Sequence, residues 1–462
     1  MAPISSFPSC AVSAFRSYLF LYPLLFSADV RRSALTDGRR LNASLTLPSL
    51  VNRWVHGSLP PLDYDGALFP NMNALYSNVH LELDEEPMVL RLPPKDVPQR
   101  HGLAQLVDFW HNTVGSERMR DGEANEFCVY WQSPAANTSA RPNVSIPCHA
   151  SATSRLFVIM RIVLVDRDTT TVGHLQAALG VRSLAEYEAS APSRQPVIPP
   201  GSGAYRLETG EAVEALSAVA FFRQAGLHLA SCCPLTPSDK EAGVADALYD
   251  IGLGEDGTGE VSNRLCLEMG VWAARSALVI ARYSAVRLVN GWIASNIPLG
   301  EYGDDYFGRA LSARWVYGIN QPEEAVYYVR LGVDPAGTYV IVFDEPPPVG
   351  AYWSITPYDA DSHVLPDPRN PGEASTLCSL DSSVHTTPGG KIIIILRAEK
   401  PMLPYANWVP IPYSGTRRLN ILPRFYDPWP ALWPNETWKI PRMWRVPDGS
   451  LLAWLRLQRL LS

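Results

Sequence analysis

The sequence has no C-x-x-C pair, no H-E-x-x-H and no H-x-H. Thiol and imidazole ligands at metal-binding spacing are missing, so neither a metal site nor a thioredoxin-like centre is expected. A G-x-S-x-G nucleophile elbow is also absent. No long basic run occurs and the formal net charge is −7. Duplex recognition rests on clustered Lys and Arg, so nucleic acid is excluded as the expected partner. No apolar stretch is long and charge-free enough for an integral membrane segment; the best, around 268–294, carries Arg275, Arg282 and Arg287. Charged residues are few at 18%, but with 47% apolar residues that balance is globular and argues against extended disorder. Seven cysteines are too sparse for a disulfide framework, and buried free thiols are expected, with Cys128–Cys148 the one conceivable bridge.

What is present is proline and aromatic rings: 41 prolines and 10% aromatics point to many turns and large rigid side chains in packed β structure. A chain of 462 residues exceeds one hydrophobic core, so two to four domains are expected. Residues 16–28, FRSYLFLYPLLFS, have the apolar core of a signal peptide. However, Arg16 opens the stretch, Pro23 interrupts it, and helical spacing continues through DVRRSAL, so it reads as the first buried helix. Asn42, Asn137, Asn143 and Asn435 open N-x-S/T sequons that matter only in a secreted protein; the expected compartment is cytoplasmic.

Periodicity predicts a helix over 12–40 and a hairpin over 78–92 turning at Asp84–Pro87. A short amphipathic helix is predicted at 103–114, then strands at FCVYWQ and RLFVIMRIVLV, the latter β-branched enough for a sheet centre. Helical spacing returns over 172–190, 211–233, 238–251 and 260–290, with a loop at 191–204. After Pro298 two short helices are predicted, at 304–315 and 321–330. TYVIVF, AYWSITPY, KIIIILR and LNILPRFY then alternate with turns, and SLLAWLRLQRLLS is an amphipathic tail expected to dock on the body. The fold class is α+β. It comprises an N-terminal helical segment (1–62), a β-sandwich (63–170), a helical subdomain (171–295), a C-terminal antiparallel jelly-roll-like β domain (296–445) and the tail (446–462).

Three motifs bear on chemistry. Gly252-Leu-Gly254-Glu-Asp-Gly257 fits G-x-G-x-x-G, but a helix precedes it and Glu255 and Asp256 repel phosphate, so it reads as a helix end and turn. Asp359-Ala-Asp361-Ser-His363 offers alternating donors, yet it lies between a strand and two prolines and reads as a polar turn. The stretch from Asn290-Gly-Trp292 to Tyr302-Gly-Asp304-Asp305-Tyr306-Phe-Gly-Arg309-Ala310 is the densest polar-aromatic segment. Acids, phenols and a guanidinium there suit acid–base work and an anion clamp, against a domain junction in which Arg309 pairs with Asp305 at i, i+4.

Those residues also carry a family resemblance. Tyr22-Pro23-Leu24 with Arg31-Arg32, Pro70-Asn71-Met-Asn73-Ala-Leu75-Tyr76-Ser77, Glu86-Pro87-Met-Val-Leu90, and Arg161 with Asp166 resemble the domain of unknown function 1254. Asn290-Gly-Trp292, Tyr302-Gly-Asp304-Asp-Tyr306 with Arg309-Ala310, Pro347–Asp359, Asn407-Trp408-Val-Pro410 and Arg424-Phe-Tyr426 resemble the domain of unknown function 1214. The two are found paired in bacteria and filamentous fungi, and the fungal type is the one resembled. The resemblance covers roughly residues 15–445 and implies a β-sandwich, a helical subdomain and a jelly-roll-like sandwich. It carries no catalytic residues across. The family usually shows R-P-N-x-D-T-L-Y-S, where this chain has Phe69, Asn73 and Ala74 for the Arg, Asp and Thr.

Two functions follow as expectations. One is a cofactor-independent enzyme, of hydrolase, dehydratase or isomerase type, acting on a small apolar organic molecule, in the setting of fungal specialised-metabolite biosynthesis. Asp304, Asp305, Tyr306 and Arg309 would be catalytic, and Tyr302, Trp353, Tyr358, Asn407, Arg424 and Tyr426 would line the substrate site. No cofactor is expected. The other is a non-enzymatic ligand-binding or assembly protein, with self-association left open. A closed pocket with perturbed carboxylates favours the enzyme, and an open aromatic strip favours binding.

Overall fold

The computed structural model describes residues 7–41, 50–64, 68–132, 141–194, 210–261, 264–411, 418–447 and 449–457. Most of the 191–204 loop and the sequons at Asn42 and Asn137 lie outside them.

The chain opens with helix Phe7–Leu41, which runs through Pro23. Tyr18, Leu21, Tyr22 and Leu24 are fully buried, because apolar residues around most of the circumference need cover on several sides. Helices Ala218–Ser231, Val244–Asp250, Leu265–Ala281 and Tyr306–Val316 pack against it. The opening helix is thus the centre of the helical body rather than a separate segment. Its span Phe7–Thr36 is also long and apolar enough to cross a membrane, though 72% of the apolar window is buried inside the protein.

Residues 51–183 build two sheets around one core. The first runs Val55–His56, Ala74–Glu82, Arg155–Val163, Gly102–Asp108, Thr113–Arg118, so RLFVIMRIV holds the predicted central place. The second runs Cys148–Ser151, Asn125–Trp131, Met88–Leu92, Gly180–Ser183. Leu75, Leu106 and Val158 of the first sheet share a cluster with Leu90, Phe127 and Val181 of the second. Two expectations are corrected here. The predicted hairpin at 78–92 does not form: Ala74–Glu82 pairs with Arg155–Val163, while Met88–Leu92 pairs with Asn125–Trp131. The Asp84–Pro87 turn carries the chain across to the other sheet, so both strands face one core from opposite sides. The predicted helix at 103–114 is instead a hairpin of Gly102–Asp108 and Thr113–Arg118. All seven residues of its first strand are buried, and an apolar run buried on both faces has no period that separates strand from helix.

The helical stretch is interrupted by strand Gly180–Ser183 and by the hairpin Val286–Val289/Trp292–Ser295. Gly252, with φ 89°, ends helix Val244–Asp250 in a turn, as its sequence indicated. The thiols are not free as expected. Cys10–Cys266 fastens the opening helix to Leu265–Ala281, Cys128–Cys148 joins two strands, and Cys232 pairs with Cys233; Cys378 alone is free. The strand pair explains itself, since Cys128 and Cys148 are register partners on parallel neighbours.

The C-terminal part again has two sheets. Val349–Tyr358 and Leu419–Pro428 pair at the centre of one, flanked by Leu377–Cys378, Ala325–Tyr327 and Arg330–Val333. The other runs Ala406–Pro410, Ile392–Arg397, Thr338–Phe343, Trp444–Val446. Its first pair is parallel, so the domain is not wholly antiparallel. Ile341, Trp353, Ile394, Val409, Ile421 and Phe425 form the core between them. Residues 321–330 supply strands rather than the predicted helix, and the tail helix Leu451–Leu457 docks by Leu455 on Val340, Ile393 and Ile395.

Candidate functional site

The residues expected to share one hollow fall into separate places. Arg309 lies in helix Tyr306–Val316 inside the helical body, 3% exposed. Its guanidinium lies about 5 Å from the rings of Phe20, Trp110 and Tyr306, and its Nε and Nη2 have no hydrogen-bond partner. It does not pair with Asp305, which is exposed and caps the helix by accepting from the Gly308 N–H at 2.8 Å. Asp304 is exposed, Tyr302 donates to Ser312 Oγ at 2.6 Å, and Tyr306 donates to Asp239 Oδ1 at 3.0 Å. Asp108, buried and within electrostatic reach of Arg309, is raised to about 6 by loss of hydration.

Arg424 and its neighbours form a seam between the two β parts. Alternation on Leu419–Pro428 sends Ile421 and Phe425 to the core and Arg424 and Tyr426 to the opposite face. Tyr352, Ser354, Thr356 and Tyr358 occupy the same face of the partner strand, with Tyr352 opposite Tyr426 and Ser354 opposite Arg424. The P-N-M-N segment closes over them. Arg424 Nη2 donates to Phe69 O at 2.6 Å and to Tyr358 Oη at 2.7 Å, and Asn71 Nδ2 donates to Tyr426 Oη at 2.9 Å. Asn73 Nδ2 donates to Thr376 Oγ1 at 3.1 Å, and the Tyr352 and Tyr426 rings stack at 4.2 Å. The three departures from the family pattern, Phe69, Asn73 and Ala74, therefore sit at this seam. Phe69 packs its ring edge-on to Tyr358 and offers only its carbonyl to Arg424. Burial pushes the phenols of Tyr352, Tyr358 and Tyr426 up, so they remain neutral. The hollow beside them, lined by His101, Arg161, Asn320, Tyr352 and Tyr426 among others, measures about 10 Å³. That is room for at most one water.

Trp353 belongs to the core of the C-terminal sheets. Asn407 tethers the loop before it, accepting from the His385 N–H at 2.7 Å and donating to His385 O and Ile393 O. The Asp359–His363 segment is the expected turn: Asp359 Oδ1 accepts from the Asp361 and His363 N–H groups, and Oδ2 lies 3.2 Å from His363 Nδ1.

A large cleft opens elsewhere, where four elements converge at the edge of the C-terminal sheets. It encloses about 720 Å³. Asn290-Gly291 forms one wall: φ values of 50° and 85° make a two-residue hairpin turn between Val289 and Trp292. Asn290 Nδ2 donates to Ile440 O and Trp292 Nε1 to Pro441 O, both at 2.8 Å, and this anchors the chain that delivers Arg442, Trp444 and Arg445. Arg330 hydrogen-bonds to Gly291 O. Arg445 stands opposite Tyr339 in the sheet register, and Arg418 precedes Leu419, the partner of Val333. The charge is one-sided. Among the described residues, Arg330, Arg418, Arg442 and Arg445 line the cleft against the single carboxylate of Asp334, which takes Arg445 at 3.0 Å and Arg418 at 4.0 Å. Arg442 lies over the half-exposed Trp444 ring at 4.9 Å. Of this cleft only the Asn-Gly-Trp corner was singled out in the sequence. The legible signal was PRMWR, an aromatic between two arginines, but it lies about 110 residues from Arg330 and needed the sheet to join them.

Comparison with known proteins agrees with this architecture. The family model "Protein of unknown function (DUF1254)" matches residues 51–183, and "Protein of unknown function (DUF1214)" matches 331–430. No curated protein matches. The crystal structure of the VPA0106 protein from Vibrio parahaemolyticus is similar at a TM-score of 0.62 and 16% identity, covering 95% of this chain and 100% of that one. A putative uncharacterized protein from Burkholderia cenocepacia has a TM-score of 0.46 at 14% identity, covering 94% of this chain and 100% of that one. The first likeness concerns the fold alone.

Proposed function

We propose that this chain, which carries both domains of the paired DUF1254–DUF1214 family, binds a small organic anion in the arginine-lined cleft. One observation carries the reading: among the described residues, four guanidiniums line about 720 Å³ of open space with one carboxylate among them. Arginine forks suit carboxylate or phosphate oxygens, and charge-assisted hydrogen bonds each contribute about 1.5–3 kcal/mol. Trp444 and Leu331, both about half exposed, offer an apolar surface for the body of such a molecule. The class favoured is therefore an aromatic or alicyclic carboxylate.

Binding rather than turnover is supported by what surrounds the cleft. Among the described residues its lining holds no second acid and no histidine. The tyrosine–arginine seam, the better match to an acid–base constellation, has space only for about one water. The paired cysteines favour an oxidising compartment over the cytoplasm expected from sequence. The core shared by the sheets of each part fits the expected sandwich layering.

The reading is tested by following tryptophan fluorescence on titration with benzoate, naphthoate and inorganic phosphate. Saturable binding of the aromatic acids is expected, weakened about tenfold or more by Arg442→Ala together with Arg330→Ala and reduced by salt. Absent saturation, or affinities unchanged in the double variant, would overturn it.

A further inference from the structure

The helix Leu265–Ala281 is apolar on both sides but covered on only one. Leu267, Val271, Ala274 and Leu278 are buried against the opening helix and its neighbours. The opposite side leaves Leu265, Trp272 and Ile280 about 70% exposed, with Met269 and Val279 nearly half exposed and Tyr283 just beyond the helix 69% exposed. A surface stripe with period 3.6 normally carries polar residues; here it carries the largest side chains of the segment. Covering these six side chains would bury on the order of 700 Å² of surface, close to the ~800 Å² that each partner gives to a standard interface.

We propose that this face is the dimer interface of the protein, occupied by the same helix of a second copy running antiparallel, with the two-fold axis on the exposed side at the level of residue 274. In a two-fold contact the same patch serves both partners, so it must complement itself. This stripe does. An axis at residue 274 sets Leu265 against Tyr283, Met269 against Val279, and bulky Trp272 against small Ser276, each with its counterpart in the second copy. The charge pattern favours this occupant over a lipid surface. Glu268 and Arg275, the charged residues within the helix, both turn inward: Glu268 accepts from the Ala218 N–H, and Arg275 donates to Leu216 O and Tyr18 Oη. Arg287 pairs with Glu436, and Arg282 lies over the Tyr283 and Trp315 rings. Among the described residues of the helix and its C-terminal end, Arg282 is the one exposed cation, too few for the basic fringe that holds anionic headgroups, whereas an apolar face with so little charge matches its own copy.

Light scattering after size exclusion tests the proposal on the full-length protein. Twice the chain mass is expected for the wild type. Trp272→Glu should halve that mass while the circular dichroism of the folded chain stays unchanged, since the side chain is exposed on the single chain. Ser276→Trp, which sets two indoles against each other, should do the same, while Leu227→Glu, exposed on another helix, should leave the dimer intact. A monomeric wild type, a dimer indifferent to Trp272→Glu, or a monomer that sediments with phosphatidylcholine vesicles through Trp272 would each overturn it.

Discussion

Buried imidazoles give this protein a definite response to acid. Loss of hydration lowers His56 to about 4 and His80 and His111 to about 3. Each protonates near 6.5 once unfolded. Below pH 6.5 the unfolded chain therefore binds protons that the folded protein refuses, and stability drains away by about 1.4 kcal/mol per pH unit for each histidine. Asp108 works in the other direction: its share is present at low pH and is lost as pH rises through about 6. Three groups outweigh one, so the thermal midpoint should fall steadily from pH 6.5 to 4.5; a flat or rising midpoint would contradict this account. The residue scale also shows what a motif does and does not convey. Asn71, Asn73, Tyr358, Arg424 and Tyr426 all stood out in the sequence, and all meet at one seam. Their grouping was legible through family resemblance, but their role was not, because whether polar groups line a pocket or satisfy one another depends on about an ångström of closure.

Among the helices, the fit of Phe7–Leu41 against Leu265–Ala281 depends on Gly270. A Cβ there would lie 2.4 Å from Ala11 O and 2.6 Å from the Ala14 Cβ, and a backbone oxygen cannot move aside cheaply. Gly270→Ala gains about 1 kcal/mol of helix propensity but forces the pair apart, which costs about 1–3 kcal/mol or more. Net destabilisation is expected in urea unfolding; a stabilised variant would mean that the helices separate freely. The same scale separates legible elements from illegible ones. Strands ending in polar turns, such as TYVIVF and KIIIILR, and the long opening helix carry their type in their own residues. Segment 103–114 does not, since LAQLVD satisfies a helix and a buried strand equally, and neighbours on both sides made it a strand.

For the whole molecule, the two β parts are joined by buried and charged contacts that cross between them. Arg118 of the N-terminal sheet bonds Glu324 and Asp427, and Arg161 reaches Gly318 O. Calorimetry should show a single unfolding transition for the wild type. Arg118→Ala with Asn71→Ala, which cuts the rim and the interior of the seam together, should split it into two. Two transitions in the wild type would show the parts to be independent.

Composition and local pattern alone determined the mixed α+β content, the order of helical and strand-rich regions, the central strand at 155–163 and the terminal helix, because burial periodicity is written residue by residue. Tertiary structure alone decided which strands share a sheet, which cysteines meet, and that Arg330, Arg418, Arg442 and Arg445 face one opening. Those outcomes depend on contacts between residues far apart in the chain, and a linear pattern holds no record of what lies across a core.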